Sequence, residues 1–300
     1  MPGDDMKLYQ TIIKRTPIQK GWSGDEKFLA ITSDGSKYLL RLSPLGKLDR
    51  KQQEFAQMRR FSALGIPMCT PMEFGTCGES VYTIHSWIDG EDAESQIMAM
   101  DAPSQYRYGL DAGRILAKIH TLPAPEDVPD WEARFNAKID RKIAMYENSE
   151  LKYECGGDAF LHYLAENRHL LKDRPQCCQH GDYHVGNMMI DHNGMLHIID
   201  FEKEDVGDPW EEFNRIVWSA QAAPAFASGM VDGYFNGAVP IEFWQLLALY
   251  ICSNTLGSLP WAIPFGEQEI QVMQQQAKEV LVWYDGMKQV IPTWYHPQSK

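Results

Sequence analysis

The stretch Cys178-Gln-His-Gly-Asp-Tyr-His-Val-Gly-Asn187, continued by Met188-Met-Ile-Asp-His-Asn-Gly-Met-Leu-His-Ile-Ile-Asp200-Phe201, decides the fold class. Its Asn193-Gly194 pair predicts a tight hairpin turn, because both residues tolerate a positive φ. Residues 188–190 and 195–199 are then the two short strands of one hairpin. We therefore expect Asn187 and Asp200 at the adjacent open ends of this hairpin, with Asp182 on the loop that leads into it.

This arrangement predicts a site with two carboxylates and one amide oxygen. Such oxygen ligands suit Mg²⁺, which keeps several waters and takes only one or two protein carboxylates beside the phosphates of a substrate. The spacing His180-x-Asp182-x-x-x-x-Asn187, followed by Asp200, also matches the phosphoryl-transfer pattern of a catalytic-loop Asp, a metal-binding Asn and a metal-binding Asp.

The same segment, together with Gly207-Asp-Pro-Trp-Glu-Glu212, resembles the aminoglycoside phosphotransferase and choline kinase family of small-molecule kinases. The resemblance covers roughly residues 18 to 285 and is most specific at 178–212. It implies an α+β, two-lobed, protein-kinase-like fold, with a small antiparallel-sheet lobe carrying one helix and a larger, mainly helical lobe. ATP or GTP would be the phosphate donor.

The resemblance also implies a role for each residue of the motif. Asp182 would be the catalytic base, Asn187 and Asp200 the Mg²⁺ ligands, and His180 a support of the loop. Asp208 would brace the backbone of the active site.

The first lobe is predicted to consist of strands and one helix. Strands are expected at 11–20, 27–32, 37–43 and 81–87, with an Asp34-Gly35 hairpin turn, and a helix at 48–64. The small-residue turn at Gly21, Ser23 and Gly24 could bring backbone N–H groups close to phosphates.

Arg41 stands where the family usually has a lysine on the third strand. A cation in an apolar strand needs a partner, and Glu54 on the following helix is the expected one. Arginine binds phosphate bidentately and could contact the donor nucleotide. The alternative is that Lys37, at the start of the same strand, reaches the phosphates.

We expect the first lobe to be residues 1–87 and to bind nucleotide, and the second to be 88–300 and to bind the acceptor. The second lobe is predicted to be mainly helical, with helices at 104–121, 131–150, 158–171, 210–219, 240–254 and 267–287. Residues 243–266 are uncharged over a length that could span a bilayer, but their polar residues and prolines predict a buried helix and a turn.

Charge is unevenly distributed between the predicted lobes. Residues 1–87 carry 9 acidic and 12 basic side chains, whereas 88–300 carry 32 acidic and 16 basic. An acidic acceptor lobe favours a small hydroxylated and cationic acceptor, such as an aminoglycoside. The candidate carboxylates follow the metal-binding aspartate, namely Glu202, Glu204, Asp205, Glu211 and Glu212.

Composition excludes several classes of protein. The net charge of −13 argues against nucleic acid and anionic membranes as partners. Residues 1–7 lack the pattern of a signal peptide, and the six cysteines include no CxxC pair, so we expect reduced thiols and a cytoplasmic protein. The sequence gives no indication of an oligomeric state.

Two alternatives remain open at this point. The acceptor could be another small alcohol, choline-like, an amino sugar, homoserine-like or a macrolide. The chain could also be a nucleotide-binding module without catalytic activity. A protein substrate is disfavoured, because only seven residues separate Asp200 from Asp208 and no Ala-Pro-Glu motif follows.

Overall fold

The computed structural model describes residues 7–19, 24–201 and 205–297. In chain order its strands are β1 Ile12–Ile18, β2 Glu26–Thr32, β3 Lys37–Pro44, β4 Pro71–Cys77, β5 Ser80–Ser86, β6 Gly90–Asp92, β7 Cys177–Gln179, β8 Met188–Asp191, β9 Leu196–Ile198 and β10 Asp205–Gly207. Its α-helices are α1 Leu48–Ala63, α2 Ala93–Met98, α3 Ala102–Ile119, α4 Trp131–Asn148, α5 Gly157–Asn167, α6 Ile216–Ala222, α7 Pro224–Phe235, α8 Ile241–Ala262 and α9 Glu267–Trp283. Short 3₁₀ helices include Val185–Asn187 and Glu211–Arg215.

The chain divides into two compact units. The first unit contains Met1–Asp92 and Met188–Glu204, and the second contains Ala93–Asn187 and Asp205–Lys300. The predicted α+β fold class, an antiparallel sheet in the amino-terminal part and a larger helical part, is confirmed.

A five-stranded antiparallel sheet in the order β1-β2-β3-β5-β4 organises the first unit. One face buries Ala30, Leu40, Tyr82 and Ile84, and the ring of Tyr9 stacks on Tyr82. Because side chains alternate along a strand, the intervening residues of β2, β3 and β5 belong to the opposite face.

Helix α1 covers that opposite face. Phe55 of α1 contacts Phe74 of β4 and His85 of β5, with ring centroids 5.6 and 6.1 Å apart. Phe55, Met58 and Phe61 are all buried, as their helical spacing predicts. The helix thereby fixes the face of the sheet that carries Arg41.

The predicted hairpin at 188–199 is present as β8 and β9, and it belongs to the first unit. The sequence placed it in the second lobe. The physical reason for the difference is hydrogen bonding: β6 pairs with β8 along its whole length, and Ile198 bridges Met68. A Cβ on Gly90 would lie 2.3 Å from the carbonyl oxygen of Ile190, so only glycine allows this close pairing. The assignment of nucleotide and acceptor to the lobes 1–87 and 88–300 stays a prediction.

Helices α3 and α7 pack in backbone contact within the second unit. A Cβ on Gly113 would lie 2.1 Å from the Met230 carbonyl oxygen, and one on Gly229 would lie 2.2 Å from that of Tyr106. The sequence did not predict α7, because its Pro and Gly residues are also typical of breaks between helices. Here the glycines are needed for the close approach of the two helices.

Helix α8 forms the core of the second unit. The helix and its short 3₁₀ extension, Ile241–Phe265, contain one segment of sufficient length and hydropathy to cross a membrane, and 72% of that window is buried. Residues 243–266 therefore do form the buried helix and turn that their composition predicts. The predicted helix at 210–219 instead begins with the 3₁₀ helix Glu211–Arg215 and continues as α6.

Candidate active site

The catalytic-loop candidate lies between β7 and β8 and is closed by hydrogen bonds to itself. The amide of Asn187 donates to the carbonyl of His184 at 2.9 Å, and the side-chain Nδ2 of Asn187 donates to the carbonyl of Asp182 at 2.9 Å. The structure thus brings Asn187 to Asp182. Because Nδ2 is the donor, the oxygen Oδ1 of Asn187 keeps its lone pairs for a ligand.

His180 contacts this loop from inside the second unit. Its side chain is fully buried, and its Nδ1 accepts a hydrogen bond from the amide of Asp182 at 3.3 Å. The neighbouring Tyr183 is also buried and donates to the carbonyl of Ala112 at 2.7 Å. The role of His180 as a support of the loop, which the family resemblance implies, stays a prediction.

The buried carboxylate of Glu212 anchors the same loop. Its Oε2 accepts from the amide of His180 at 2.8 Å, its Oε1 accepts from the amide of Gly181 at 2.5 Å, and His120 Nε2 lies 3.1 Å from Oε2. Burial opposes ionisation, but the hydrogen bond and charge of His120, the charge of His180 and its backbone amide together lower the pKa of Glu212. Glu212 was expected to bind the acceptor, and the structure instead commits it to the loop backbone.

Arg215 holds the carboxylate of Asp182. Arg215 Nε lies 3.1 Å from Asp182 Oδ1, and 22% of the Asp182 side chain is exposed. Glu212 and Arg215 are three residues apart in the 3₁₀ helix Glu211–Arg215, so they lie on the same side of it. One short helix therefore fixes the backbone at 180–181 and the side chain at 182, a role of Arg215 that no sequence motif indicated.

Asp208 braces the strand that leads into this helix. Its buried carboxylate accepts two hydrogen bonds from Arg174, at 2.6 and 2.9 Å, and a third from the hydroxyl of Tyr250 at 2.6 Å. The backbone carbonyl of Asp208 accepts from Gln179 of β7 at 2.8 Å. Asp208 thus ties the beginning of the 211–215 segment to the strand that precedes the catalytic loop.

Asp200 belongs to the first unit, where it follows β9 with a φ of 69°. A positive φ is uncommon outside glycine and is enriched at functional sites. Phe201 packs on Phe61 of α1 with ring centroids 5.2 Å apart, which fixes the chain just after Asp200. Burial raises the pKa of the Cys69 thiol to about 11, and the charge of Arg41 opposes this rise.

Arg41 and Glu54 lie in a buried cluster of charges in the first unit. Arg41 Nη2 is 3.3 Å from Asp25 Oδ2, whereas Glu54 Oε2 is 2.7 Å from Lys51 Nζ. Lys51 Nζ is also 2.7 Å from Asp25. The expected pair of Arg41 and Glu54 is therefore joined through Asp25 and Lys51, two residues that the sequence analysis did not select. Lys51 precedes Glu54 by three residues on α1, so the two side chains lie on the same face of the helix. This spacing could have identified Lys51 from the sequence.

The remaining predicted site residues are the carboxylates expected to bind the acceptor and the small residues of the turn at 21–24. Glu211 is buried and pairs with Lys138 at 2.9 Å, so its carboxylate is already neutralised. Burial and the carboxylates of Glu211 and Glu212 raise the pKa of Asp205. Gly24 is described, and a Cβ added to it would lie 3.8 Å from Lys47 Nζ. The predicted residues Gly21, Ser23, Glu202 and Glu204 lie outside the described residues.

Possible metal sites can be described for the same residues. Within 7–19, 24–201 and 205–297, no group of three or more His, Cys, Asp or Glu side chains has the arrangement of a metal site. A Mg²⁺ site of the expected kind differs from such a group, because it uses one amide oxygen and only one or two carboxylates.

Comparisons with known proteins place this geometry in context. The model of the phosphotransferase enzyme family matches residues 14–244. No curated protein matches the chain by sequence.

Three solved structures show the same fold. A thermostable mutant of aminoglycoside phosphotransferase APH(4)-Ia, in a ternary complex with ADP and hygromycin B, has a TM-score of 0.65 at 15% identity, covering 91% of this chain and 95% of that one. A choline/ethanolamine kinase family protein from Mesorhizobium loti has a TM-score of 0.64 at 15% identity, covering 92% and 91%. Amicoumacin kinase in complex with AMP-PNP, Ca²⁺ and Ami has a TM-score of 0.62 at 12% identity, covering 93% and 90%.

Proposed function

Because this chain belongs to the phosphotransferase enzyme family, we propose that it transfers the γ-phosphate of ATP to a hydroxyl group of a small organic molecule, with Mg²⁺. The observation that carries the proposal is the construction of the 180–187 loop. The carbonyl of Asp182 is tied to Asn187, the amide of Asp182 to His180, and the amides at 180–181 to Glu212. A loop fixed at so many points supports a catalytic role, because phosphoryl transfer depends on positioning and electrostatics.

Asp182 is the proposed general base. Its carboxylate orients the hydroxyl of the acceptor toward the γ-phosphorus and accepts the hydroxyl proton as the new O–P bond forms, while the bond from the γ-phosphorus to the β–γ bridging oxygen breaks and ADP leaves. Arg215, 3.1 Å away, restricts the rotamer of this carboxylate. The proposed transfer is direct, because the imidazole of His180 is fully buried and accepts from the amide of Asp182, and His184 Nε2 lies 4.0 Å from the Asp182 carboxylate.

Asn187 and Asp200 are the residues proposed to hold Mg²⁺. Asn187 fits because its amide nitrogen is used internally while its oxygen is available, and Asp200 fits because its carboxylate follows a strand end in a constrained conformation. When bound, Mg²⁺ would offset the charge that develops on the donor phosphates.

We propose a cationic acceptor of the aminoglycoside type. The support is the surplus of acidic residues in 88–300, which would attract such a molecule. An aminoglycoside phosphotransferase with hygromycin B and a choline/ethanolamine kinase family protein among the similar folds are in accord with it. Since Glu211 and Glu212 are engaged internally, the direct contacts would come from other carboxylates, such as Asp205.

The experiment is a turnover assay with a panel of acceptors. ATP and, separately, GTP are supplied with Mg²⁺, and nucleoside diphosphate release is measured with kanamycin, gentamicin, choline, erythromycin and simple sugars. Stimulation by an aminoglycoside supports the proposal, and stimulation only by a neutral alcohol contradicts the cationic acceptor. Nucleotide binding with no turnover on any acceptor would favour the alternative of a non-catalytic binding module.

A further inference from the structure

Lys27 on β2 lies directly opposite Arg41 on β3. The register of the antiparallel strands β2 and β3 pairs Lys27 with Arg41. The register of β3 and β5 pairs Arg41 with Thr83. Residues paired in this way point to the same face of the sheet. Lys27 is thus on the face covered by α1, where Arg41, Thr83 and Lys51 line a common small cavity.

The two other cations on this face are already bound by carboxylates of the fold. Lys51 Nζ lies 2.7 Å from Asp25 and 2.7 Å from Glu54, with 9% of its side chain exposed. Arg41 Nη2 lies 3.3 Å from Asp25, with 12% of its side chain exposed. Asp25 also accepts a hydrogen bond from Ser43 at 2.7 Å, and Lys47 Nζ lies 3.7 Å from its Oδ1, so both of its oxygens already have partners.

Lys27 differs from both of these cations. It is half-buried, and within the described residues its ammonium group makes no hydrogen bond and no ion pair. Burial and the charge of Arg41 lower the pKa of Lys27, and the charges of Asp200 and Asp25 oppose that change. A cation removed in part from water is stabilised by an anion, and the described residues place none in contact with Lys27.

We propose that Lys27 is the residue that binds the β- and γ-phosphates of the donor nucleotide, in place of Arg41. Arg41 is then a positioning residue that holds Asp25 and, through it, Lys51. The inference rests on the proposed function. It depends on Asp200 as a metal-binding residue, because a Mg²⁺ ion held there would offset the charge of the donor phosphates, and Asp200 belongs to the same compact unit as Lys27.

The test compares the affinities of several nucleotides for matched variants. Calorimetry measures the binding of ATP, ADP and AMP, each with Mg²⁺, to the full chain and to Lys27→Met, Lys27→Gln and Lys27→Arg. We expect Lys27→Met and Lys27→Gln to weaken ATP and ADP binding about 10- to 100-fold, the size of a charged hydrogen bond, and to leave AMP binding unchanged. Lys27→Arg should retain most of the affinity for ATP.

Lys37→Met is the matched control, because Lys37 pairs with Asp89 at 3.2 Å on the exposed start of β3 and was the alternative phosphate ligand. It should bind ATP like the parent. Arg41→Met should lower the melting temperature and weaken ATP binding less than Lys27→Met does.

The outcomes separate this inference from the proposed function. A parent protein that does not bind ATP contradicts both. A parent that binds ATP, with Lys27→Met and Lys27→Gln equal to it, overturns only the role of Lys27. An equal loss of ATP and AMP binding also overturns that role, because the effect would then be on the fold and not on the β- and γ-phosphates. Melting curves of each variant without nucleotide, and the rescue by Lys27→Arg, identify a variant that fails to fold.

Discussion

Replacing Glu212 by Gln tests how the catalytic loop is held. The side chain keeps its size but loses its charge and one of its two acceptor oxygens. In the parent, the two oxygens accept from the amides of His180 and Gly181 and from His120. In the variant, the side-chain NH₂ must face at least one of these donors.

The expected loss of stability in Glu212→Gln follows from these hydrogen bonds. A hydrogen bond to a charged group contributes about 1.5–3 kcal/mol, and a buried donor left without an acceptor costs about 1–3 kcal/mol. We therefore expect Glu212→Gln to lower the free energy of unfolding by about 3 kcal/mol. We also expect kcat to fall at least about tenfold, because the loop is held less well in position. This corresponds to a rise of about 1.4 kcal/mol in the activation free energy.

The assay is urea denaturation together with steady-state turnover. Glu211→Gln is the matched control, because Glu211 has a single ion pair with the partly exposed Lys138, whose loss should cost about 1 kcal/mol or less. If Glu212→Gln unfolds at the same urea concentration as Glu211→Gln and retains the kcat of the parent, the anchoring role is wrong.

Glu212 also makes the free energy of unfolding depend on pH. The pKa of Glu212 is lowered in the folded protein, so the unfolded chain binds the proton more readily than the folded one. Its stabilisation is therefore complete above the ordinary pKa of a glutamate and is lost as the pH falls toward the lower folded value. In Glu212→Gln this part of the acid dependence should disappear, as urea denaturation between neutral pH and pH 3 would measure.

Two further predictions concern the scaffold. Asp208→Asn should lower the free energy of unfolding by about 3–5 kcal/mol in urea denaturation, because it leaves the charge of Arg174 without its bidentate partner; a loss below 1 kcal/mol would contradict this. Gly229→Ala should lower the melting temperature strongly, because its Cβ would lie 2.2 Å from the carbonyl oxygen of Tyr106, whereas Gly46→Ala, which meets no atom within 4 Å, should not; equal melting temperatures would contradict the close packing of α3 and α7.

Much of the fold was predictable from local patterns. Alternation and the Asp34-Gly35 turn gave β2 and β3, and helical spacing gave α1, α3, α4 and α9. Strand β4 was not predicted, because it begins with Pro71 and contains Gly75, both unfavourable in a strand. It is an edge strand, and Gly75 is needed there because a Cβ would lie 2.5 Å from the hydroxyl of Tyr82.

The part of the candidate site that a sequence motif defines was predictable. The part that depends on tertiary packing was not. The motif located His180, Asp182 and Asn187, whose mutual hydrogen bonds the structure supplies. The contacts of Asp182 with Arg215 and of Asp25 with Lys51 depend on tertiary structure, which no single-sequence pattern encodes. For the same reason, the carboxylates at 211 and 212 had the right charge for an acceptor but lie inside the fold.

The most direct test of the account compares the parent with Asp182→Asn. Asparagine has nearly the same shape, so the loop should keep its backbone bonds and the variant should bind ATP like the parent. The measurement is Mg²⁺-dependent transfer of radiolabelled γ-phosphate from ATP to the acceptor that the panel identifies. We predict that transfer falls by about 10²- to 10⁴-fold with unchanged ATP binding; transfer by Asp182→Asn at the rate of the parent would contradict the assignment of the catalytic base.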